Sequence, residues 1–254
     1  MSDAKESKIP MDPGYLKMGN TTPRIDNKTY QKIIGSLLYI CVNTRPDISA
    51  PVTILSQHIN DTRQQDWNEL QRILRYLKYT CTYELRLSNS STANKELVGY
   101  ADANWAESRE DRKSNSGYLF KIFGGTVSWC CKKQDCVSIS STETEIVALA
   151  ETCKEAVWLR ELLKFFKQEQ LHPTIINEDN QSCINSHKLA GLTNRNKHID
   201  VKHYFARDLE QENVIKLKYC PTESNQADIL TKPTGPVRLK TMVDQIGIKA
   251  APQF

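Results

Sequence analysis

The sequence predicts an α/β fold: a mixed five-stranded sheet with flanking helices, preceded by a small helical unit. Three observations lead there. Apolar residues recur at helical spacing in successive segments before residue 80. The polar run Ser88-Asn89-Ser90-Ser91-Thr92-Ala93-Asn94 then reads as a linker and marks a domain boundary. Beyond it come three strand-like runs, one long helical period, and then strand alternating with helix. That order argues for a meander joined by later strands that enter through helical crossovers.

Residues 1–29, rich in Lys, Pro, Gly and Asn, have no apolar period and read as an extended arm. From Tyr30 onward, Ile33, Ile34, Leu37, Leu38 and Cys41 keep helical spacing until Asn43-Thr44-Arg45-Pro46, where proline disfavours a helical residue before it. A short helix is predicted over Asp47–Gln57. A third, over Gln65–Tyr79, places Trp67, Leu70, Ile73, Leu74 and Leu77 on one stripe and Arg72, Arg75 and Lys78 largely off it. This helical segment occupies residues 30–88.

After the linker, Glu96–Ala101, Gly117–Phe123 and Thr126–Lys132 read as strands, the last two forming a hairpin around Gly124-Gly125. Ile146, Leu149, Ala150, Cys153, Val157 and Leu163 predict a long helix from Thr142 to about Phe166. His172-Pro173 breaks the chain before a strand at Thr174–Glu178 and a helix at Asn180–Lys188. A loop at Ala190–Asn196, an amphipathic helix at Ile199–Glu212, a strand at Val214–Cys220 and a short helix from about Gln226 to Lys232 complete the pattern. The sheet domain is expected over 96–232, with 233–254 as a tail.

Composition narrows the function classes. At 254 residues and 39% apolar content the chain can bury one large core or two modest ones. No stretch approaches the roughly 18 apolar residues of a membrane span, and the start lacks a signal-peptide pattern, so an intracellular, soluble protein with no membrane partner is expected. The eight cysteines contain no Cys-x-x-Cys pair and read as reduced packing residues; Cys130, Cys131 and Cys136 fit no common zinc module. The net charge of +4 arises before residue 96, where 13 Lys/Arg face 9 Asp/Glu. A nucleic-acid-facing surface is compatible with that excess, and so is an ordinary solvated face.

Four carboxylates fall where strands end and helices begin: Asp102, Glu145, Asp179 and Asp228. Such positions can converge on one sheet edge. Gathered there, the charges would repel one another unless cations intervened, and hard oxygen ligands suit Mg²⁺ or Mn²⁺ better than zinc. Two such ions are a common solution for in-line attack on a phosphodiester. Each residue also has an ordinary role. Asp102 can cap a turn. Thr142-x-x-Glu145 can form a capping box. Asp179 stands where a helix N-cap would, and Asp228 can act on the dipole of the last helix. Only the combination points to chemistry.

The local motifs make the combination specific. Gly99-Tyr100-Ala101-Asp102-Ala103-Asn104-Trp105-Ala106, Ser140-Ser141-Thr142-Glu143-Thr144-Glu145-Ile146-Val147-Ala148-Leu149, Asp179-Asn180-Gln181-Ser182, Lys197-His198-Ile199-Asp200-Val201 and Ala227-Asp228-Ile229-Leu230-Thr231-Lys232 resemble the ribonuclease H region of copia-type retrotransposon Pol polyproteins. Ile34-Gly35-Ser36-Leu37-Leu38-Tyr39, Thr44-Arg45-Pro46-Asp47-Ile48 and Arg72-Ile73-Leu74-Arg75-Tyr76-Leu77-Lys78 are similar to the segment joining reverse transcriptase to ribonuclease H in those polyproteins.

The resemblance implies a ribonuclease H-like fold and hydrolysis of the RNA strand of RNA–DNA hybrids. Asp102 would bridge both ions, Asp228 would help hold the ion that activates water, and Glu145 with Asp179 would hold the ion at the leaving 3′ oxygen. It implies a cytoplasmic, virus-like-particle or nuclear location, with the reverse transcriptase region of the same element as a further partner. Many ribonucleases H carry a histidine before the last aspartate, whereas Pro221-Thr222-Glu223-Ser224-Asn225-Gln226 has none. Glu223 is the acid that could replace it, a solvated loop acid being the ordinary alternative. Glu143, two residues from Glu145, is expected to face water.

Arg112, Lys113, Lys132 and Lys133 flank the hairpin, and Lys197, His198 and Lys202 open a later helix; these are the candidate phosphate contacts. Trp105 and Trp129 are expected in the core rather than as stacking platforms, and His203 and Tyr204 as packing residues. The chain has no Asp-Asp pair, so the Tyr-x-Asp-Asp metal site of a reverse transcriptase is missing and polymerase activity from this chain alone is excluded. A related nuclease or transposase would carry a different acidic order. The non-enzymatic alternative is an element relic or host-recruited copy that binds nucleic acid or protein without turnover.

Overall fold

Helical periodicity shapes the first part of the chain. In a computed structural model describing residues 4–19, 21–87, 95–105, 111–186 and 197–252, with the backbone alone at 197–200, helix α1 (Lys28–Asn43) buries Tyr30, Ile34, Leu37 and Cys41 on one face. Pro46 ends the run and opens a 3₁₀ turn, Pro46–Ile48, that leads into α2 (Ser49–Ser56). Helix α3 (Gln64–Tyr79) starts where the Asp66 carboxylate accepts the Arg63 backbone N–H at 2.7 Å, and it buries Leu70, Ile73 and Tyr76. Beneath these helices Arg45 grips Asp47 through two hydrogen bonds of 2.9 and 2.7 Å, and Tyr76 Oη donates to the same carboxylate at 2.8 Å.

Two expectations for this part change. The arm packs: Met11 and Tyr15 are buried, and Tyr15 Oη donates to Asp66 Oδ1 at 2.5 Å. The tail is structured too. After a short strand β1 (Tyr83–Leu85), the chain departs, to return with a helix at Pro236–Gln245 and a strand at Ile248–Ala250 that pairs antiparallel with β1, Leu85 opposite Ile248. Gly247, at φ +87°, makes the turn between that helix and strand in the left-handed region open to glycine. These residues group with the first unit, which comprises the chain up to Arg86 and from Lys232 onward.

The second unit, Leu87–Thr231, is built on a five-stranded sheet. Strands β2 (Val98–Asn104), β3 (Asn115–Ile122) and β4 (Gly125–Lys133) form an antiparallel meander. Helix α4 (Ser141–Phe165) crosses the sheet, β5 (Thr174–Glu178) runs parallel to β2, and α5 (Gln181–Ser186) and α6 (Lys197–Gln211) lead to β6 (Ile215–Tyr219), parallel to β5. The spatial order is β4-β3-β2-β5-β6. This is the mixed, ribonuclease H-like sheet with flanking helices that the sequence predicts. On one face α4 and α6 enclose Ala101, Phe120, Leu149, Cys153, Ile176 and Ile215. Against β2 and β3 lies a 3₁₀ turn, Gln226–Leu230. It approaches so closely that a Cβ at Gly117 would stand 2.8 Å from Leu230 Cβ. The helix Pro236–Gln245 is α7 and the strand Ile248–Ala250 is β7. The proposed linker 88–94 and loop Ala190–Asn196 lie outside the described residues, and no described helix is long and apolar enough to cross a membrane.

Candidate metal centre

Parallel pairing of β2 with β5 sets Tyr100 opposite Asn177, so Asp102 and Asp179, each two residues further on, share a level and a face. Glu145 enters from the N-terminal part of α4, just past its first turn. Ligand oxygens of Asp102, Glu145 and Asp179 all lie within 4.8 Å of one another. Asp102 and Glu145 are buried and Asp179 is half-buried. Among the described residues this is the group that could hold a metal ion. Three hard oxygen donors in mutual reach, with one side open to water, fit Mg²⁺ or Mn²⁺.

The ordinary roles weighed against these residues are filled by neighbours. Ser140 caps α4, its Oγ accepting from the Glu143 N–H at 3.2 Å, and the Glu143 carboxylate accepts the Ile139 N–H at 2.8 Å. The cap is therefore Ser140, with Glu143 reaching back to Ile139, rather than Thr142 with Glu145, and Glu145 turns to the cluster. Asn180, rather than Asp179, caps α5 by accepting from the Cys183 N–H at 2.9 Å. Asp179 instead accepts from Thr222 Oγ1 at 2.6 Å.

Asp228 is buried in the 3₁₀ turn, whose cap is Asn225: Oδ1 accepts the Ala227 N–H at 3.1 Å while Nδ2 donates to Ala101 O at 2.7 Å. That second bond pins the turn to the strand residue just before Asp102. Thr231 Oγ1 then donates to Asp102 Oδ2. The structure thus brings three of the four predicted carboxylates into one group and buries the fourth on the adjoining turn, outside the group's mutual reach.

Glu178 was not singled out from sequence. Strand alternation sends it to the helix-covered face, opposite Asp179, where it is fully buried. Its Oε1 accepts the Asn180 N–H at 3.0 Å while Oε2 has no hydrogen-bond partner. Burial pushes its carboxyl well above the ordinary carboxylate range, and the charges of Asp179 and Asp102 push the same way. The available signal was an acid at an alternation position that should be apolar.

The candidate phosphate contacts scatter. Arg112 is exposed and Lys133 is tied to Asp111 at 2.9 Å, both near the sheet end that carries Asn104. Lys113 is half-buried, exposed Lys132 lies 3.8 Å from Asp135, and Lys202 is half-buried on α6. The side chains of Lys197 and His198 lie outside the described residues. Trp105 departs from its expected core position: it is 50% exposed, with Nε1 donating to Ser138 O at 3.2 Å. Trp129 is half-buried. His203 and Tyr204 meet edge to face, and His203 Nε2 lies 3.2 Å from Ser186 Oγ. Cys41, Cys153, Cys183 and Cys220 are buried, whereas Cys81 is exposed.

No family model matches the chain. The retrovirus-related Pol polyprotein from transposon TNT 1-94 of Nicotiana tabacum is 36% identical over 242 residues, 91% of this chain. The chain spans only 18% of that polyprotein's length. Secreted RxLR effector protein 161 of Plasmopara viticola is 50% identical over 133 residues, 52% of this chain and 92% of its own length. The crystal structure of RNase H1 from Halobacterium salinarum matches 54% of this chain and 94% of its own, at 18% identity and a TM-score of 0.40.

Proposed function

Because this chain belongs to the copia-type, retrovirus-related Pol polyproteins of transposons, we propose that its second unit is a metal-dependent endonuclease of the ribonuclease H type, hydrolysing the RNA strand of RNA–DNA hybrids. The observation that carries this reading is the approach of Asp102, Glu145 and Asp179 to within 4.8 Å. Three carboxylates brought together from β2, α4 and the end of β5 need a divalent cation to offset their repulsion.

Asp102, Glu145 and Asp179 would hold Mg²⁺ or Mn²⁺, and Asp228 on the adjoining turn would complete a set for two ions. When bound, the metal lowers the pKa of the attacking water and neutralises charge on the leaving 3′ oxygen, leaving a 5′-phosphate and a 3′-hydroxyl. The remaining work is positional. Thr231 orients Asp102 by donating to Oδ2, and Thr222 orients Asp179. Asn225 fixes the turn carrying Asp228 to β2. Carboxylates held this way need no rearrangement when charge develops. Glu223, exposed beside Thr222, is the acid on this loop in place of the missing histidine. In this reading the reverse transcriptase region of the same element is a partner in gripping the hybrid, within a cytoplasmic particle or the nucleus.

The test incubates purified chain with end-labelled RNA–DNA hybrid and Mg²⁺, beside Asp102→Asn and Asp179→Asn. Cleavage by the parent and a loss of at least about a hundredfold in both variants, near 2.7 kcal/mol, is expected. Binding of hybrid by the parent without any cleavage would establish the alternative of a non-catalytic relic or recruited binding module.

A further inference from the structure

The first unit contains a cavity of about 460 Å³ that the carboxylate centre does not use. That volume falls within the range of small-ligand sites, about 300–1,000 Å³. Its walls join both ends of the unit: Tyr76 and Tyr79 at the end of α3, Tyr83 of β1, Leu239 of α7 and Ile248 of β7. Tyr76 is fixed, with its hydroxyl committed to Asp47 at 2.8 Å, and it presents only its ring. Tyr79 is 42% exposed and Tyr83 half-buried, so both have free ring surface.

The charge around the cavity is one-sided. Lys8, Lys240 and Lys249 border it with one acid, Asp244, which lies 3.4 Å from Lys249. Lys8 and Lys240 are exposed and no carboxylate pairs with either among the described residues. Aromatic walls with uncompensated cations at the mouth select a flat, apolar-faced group attached to an anion.

We propose that this cavity seats one nucleotide of a single nucleic-acid strand, its base against Tyr79 and Tyr83 and its phosphate at Lys8 and Lys240. The Thr80 hydroxyl on the wall is already engaged by Arg45 and by Tyr76 O, and stacking on the Tyr79 and Tyr83 rings is sequence-tolerant because every base has a π-face. The site is independent of hydrolysis at the carboxylate centre.

The full chain in EDTA, where metal-dependent cleavage is silent, is crosslinked by ultraviolet light to a single-stranded oligonucleotide bearing 5-iodouracil, and adducts are mapped by mass spectrometry. Adducts on the peptides carrying Tyr79 or Tyr83 are expected. Affinity should fall roughly tenfold in Tyr79→Ala and in Lys240→Glu, and remain near the parent's in Tyr79→Phe. Competition by millimolar uridine monophosphate, but not by inorganic phosphate, identifies the nucleotide as the recognised unit. Because Lys240 is exposed, its variant retains the fold. Adducts confined to residues 87–231, or unchanged affinity in Lys240→Glu and Tyr79→Ala, would overturn the proposal while leaving hybrid cleavage untouched.

Discussion

Thr231 Oγ1 donates a hydrogen bond to Asp102 Oδ2, joining residues 129 positions apart. The same hydroxyl lies 3.1 Å from Asp228 O, so one side chain ties the strand bearing one carboxylate to the turn bearing another. Thr231→Val keeps the volume and removes the donor. It is expected to lower stability by about 1.5–3 kcal/mol, the range for hydrogen bonds to charged groups, as read from urea unfolding. Hybrid cleavage should fall at saturating metal as well, because Asp102 loses its orienting partner. An unchanged unfolding midpoint would deny Thr231 this role.

Glu178 predicts a pH dependence. Its folded carboxyl titrates well above the ordinary range because burial disfavours the charge. The unfolded carboxyl ionises near pH 4.3, so the contribution to stability is fully present below about that pH and is lost as pH rises toward the folded value. In EDTA, the melting temperature of the parent should therefore fall more between pH 5 and pH 8 than that of Glu178→Gln. Parallel curves for the two proteins would contradict the elevated titration.

Asp47 predicts a large loss without chemistry. It is buried under two Arg45 hydrogen bonds and one from Tyr76. Asp47→Ala strands the buried guanidinium and should destabilise the first unit by about 3–5 kcal/mol. Limited proteolysis should then cut within residues 4–86 first. Equal protease resistance in variant and parent would show the pair to be dispensable.

Trp105 predicts a change in substrate grip. Its indole is half-exposed three residues beyond Asp102 and is held by the Ser138 carbonyl. Trp105→Ala should raise KM for hybrid several-fold, with kcat within about twofold, because uniform binding is what a contact away from the reacting atoms supplies. A fall in kcat at constant KM would place the indole in support of the carboxylates instead.

The same residues show what was legible in sequence. Strand β5 and helix α3 were readable to within a residue because each is bounded by breakers and carries a full apolar period. Strands β1 and β7 were not, since three residues hold barely one alternation and their pairing depends on chain ends far apart in sequence. The carboxylates were legible through their motifs. Their supports were not: Thr222, Asn225 and Thr231 act through bonds reaching across the sheet. Both Ser140-x-x-Glu143 and Thr142-x-x-Glu145 satisfy the capping pattern in sequence, and the extended backbone of Ser140 is what sets the cap two residues earlier. Residue type alone puts Trp105 in the core, and it does not register a position just past a strand end.

The return of residues 232–252 to pair with β1 makes the sheet-bearing unit a guest within a host. A stop codon after Thr231, the natural design for isolating the sheet-bearing unit, would spare the guest and amputate the host, removing β7, α7 and one wall of the tyrosine-lined cavity. A clean excision needs two cuts, one on each side of residues 87–231, and the host must then be religated rather than merely shortened.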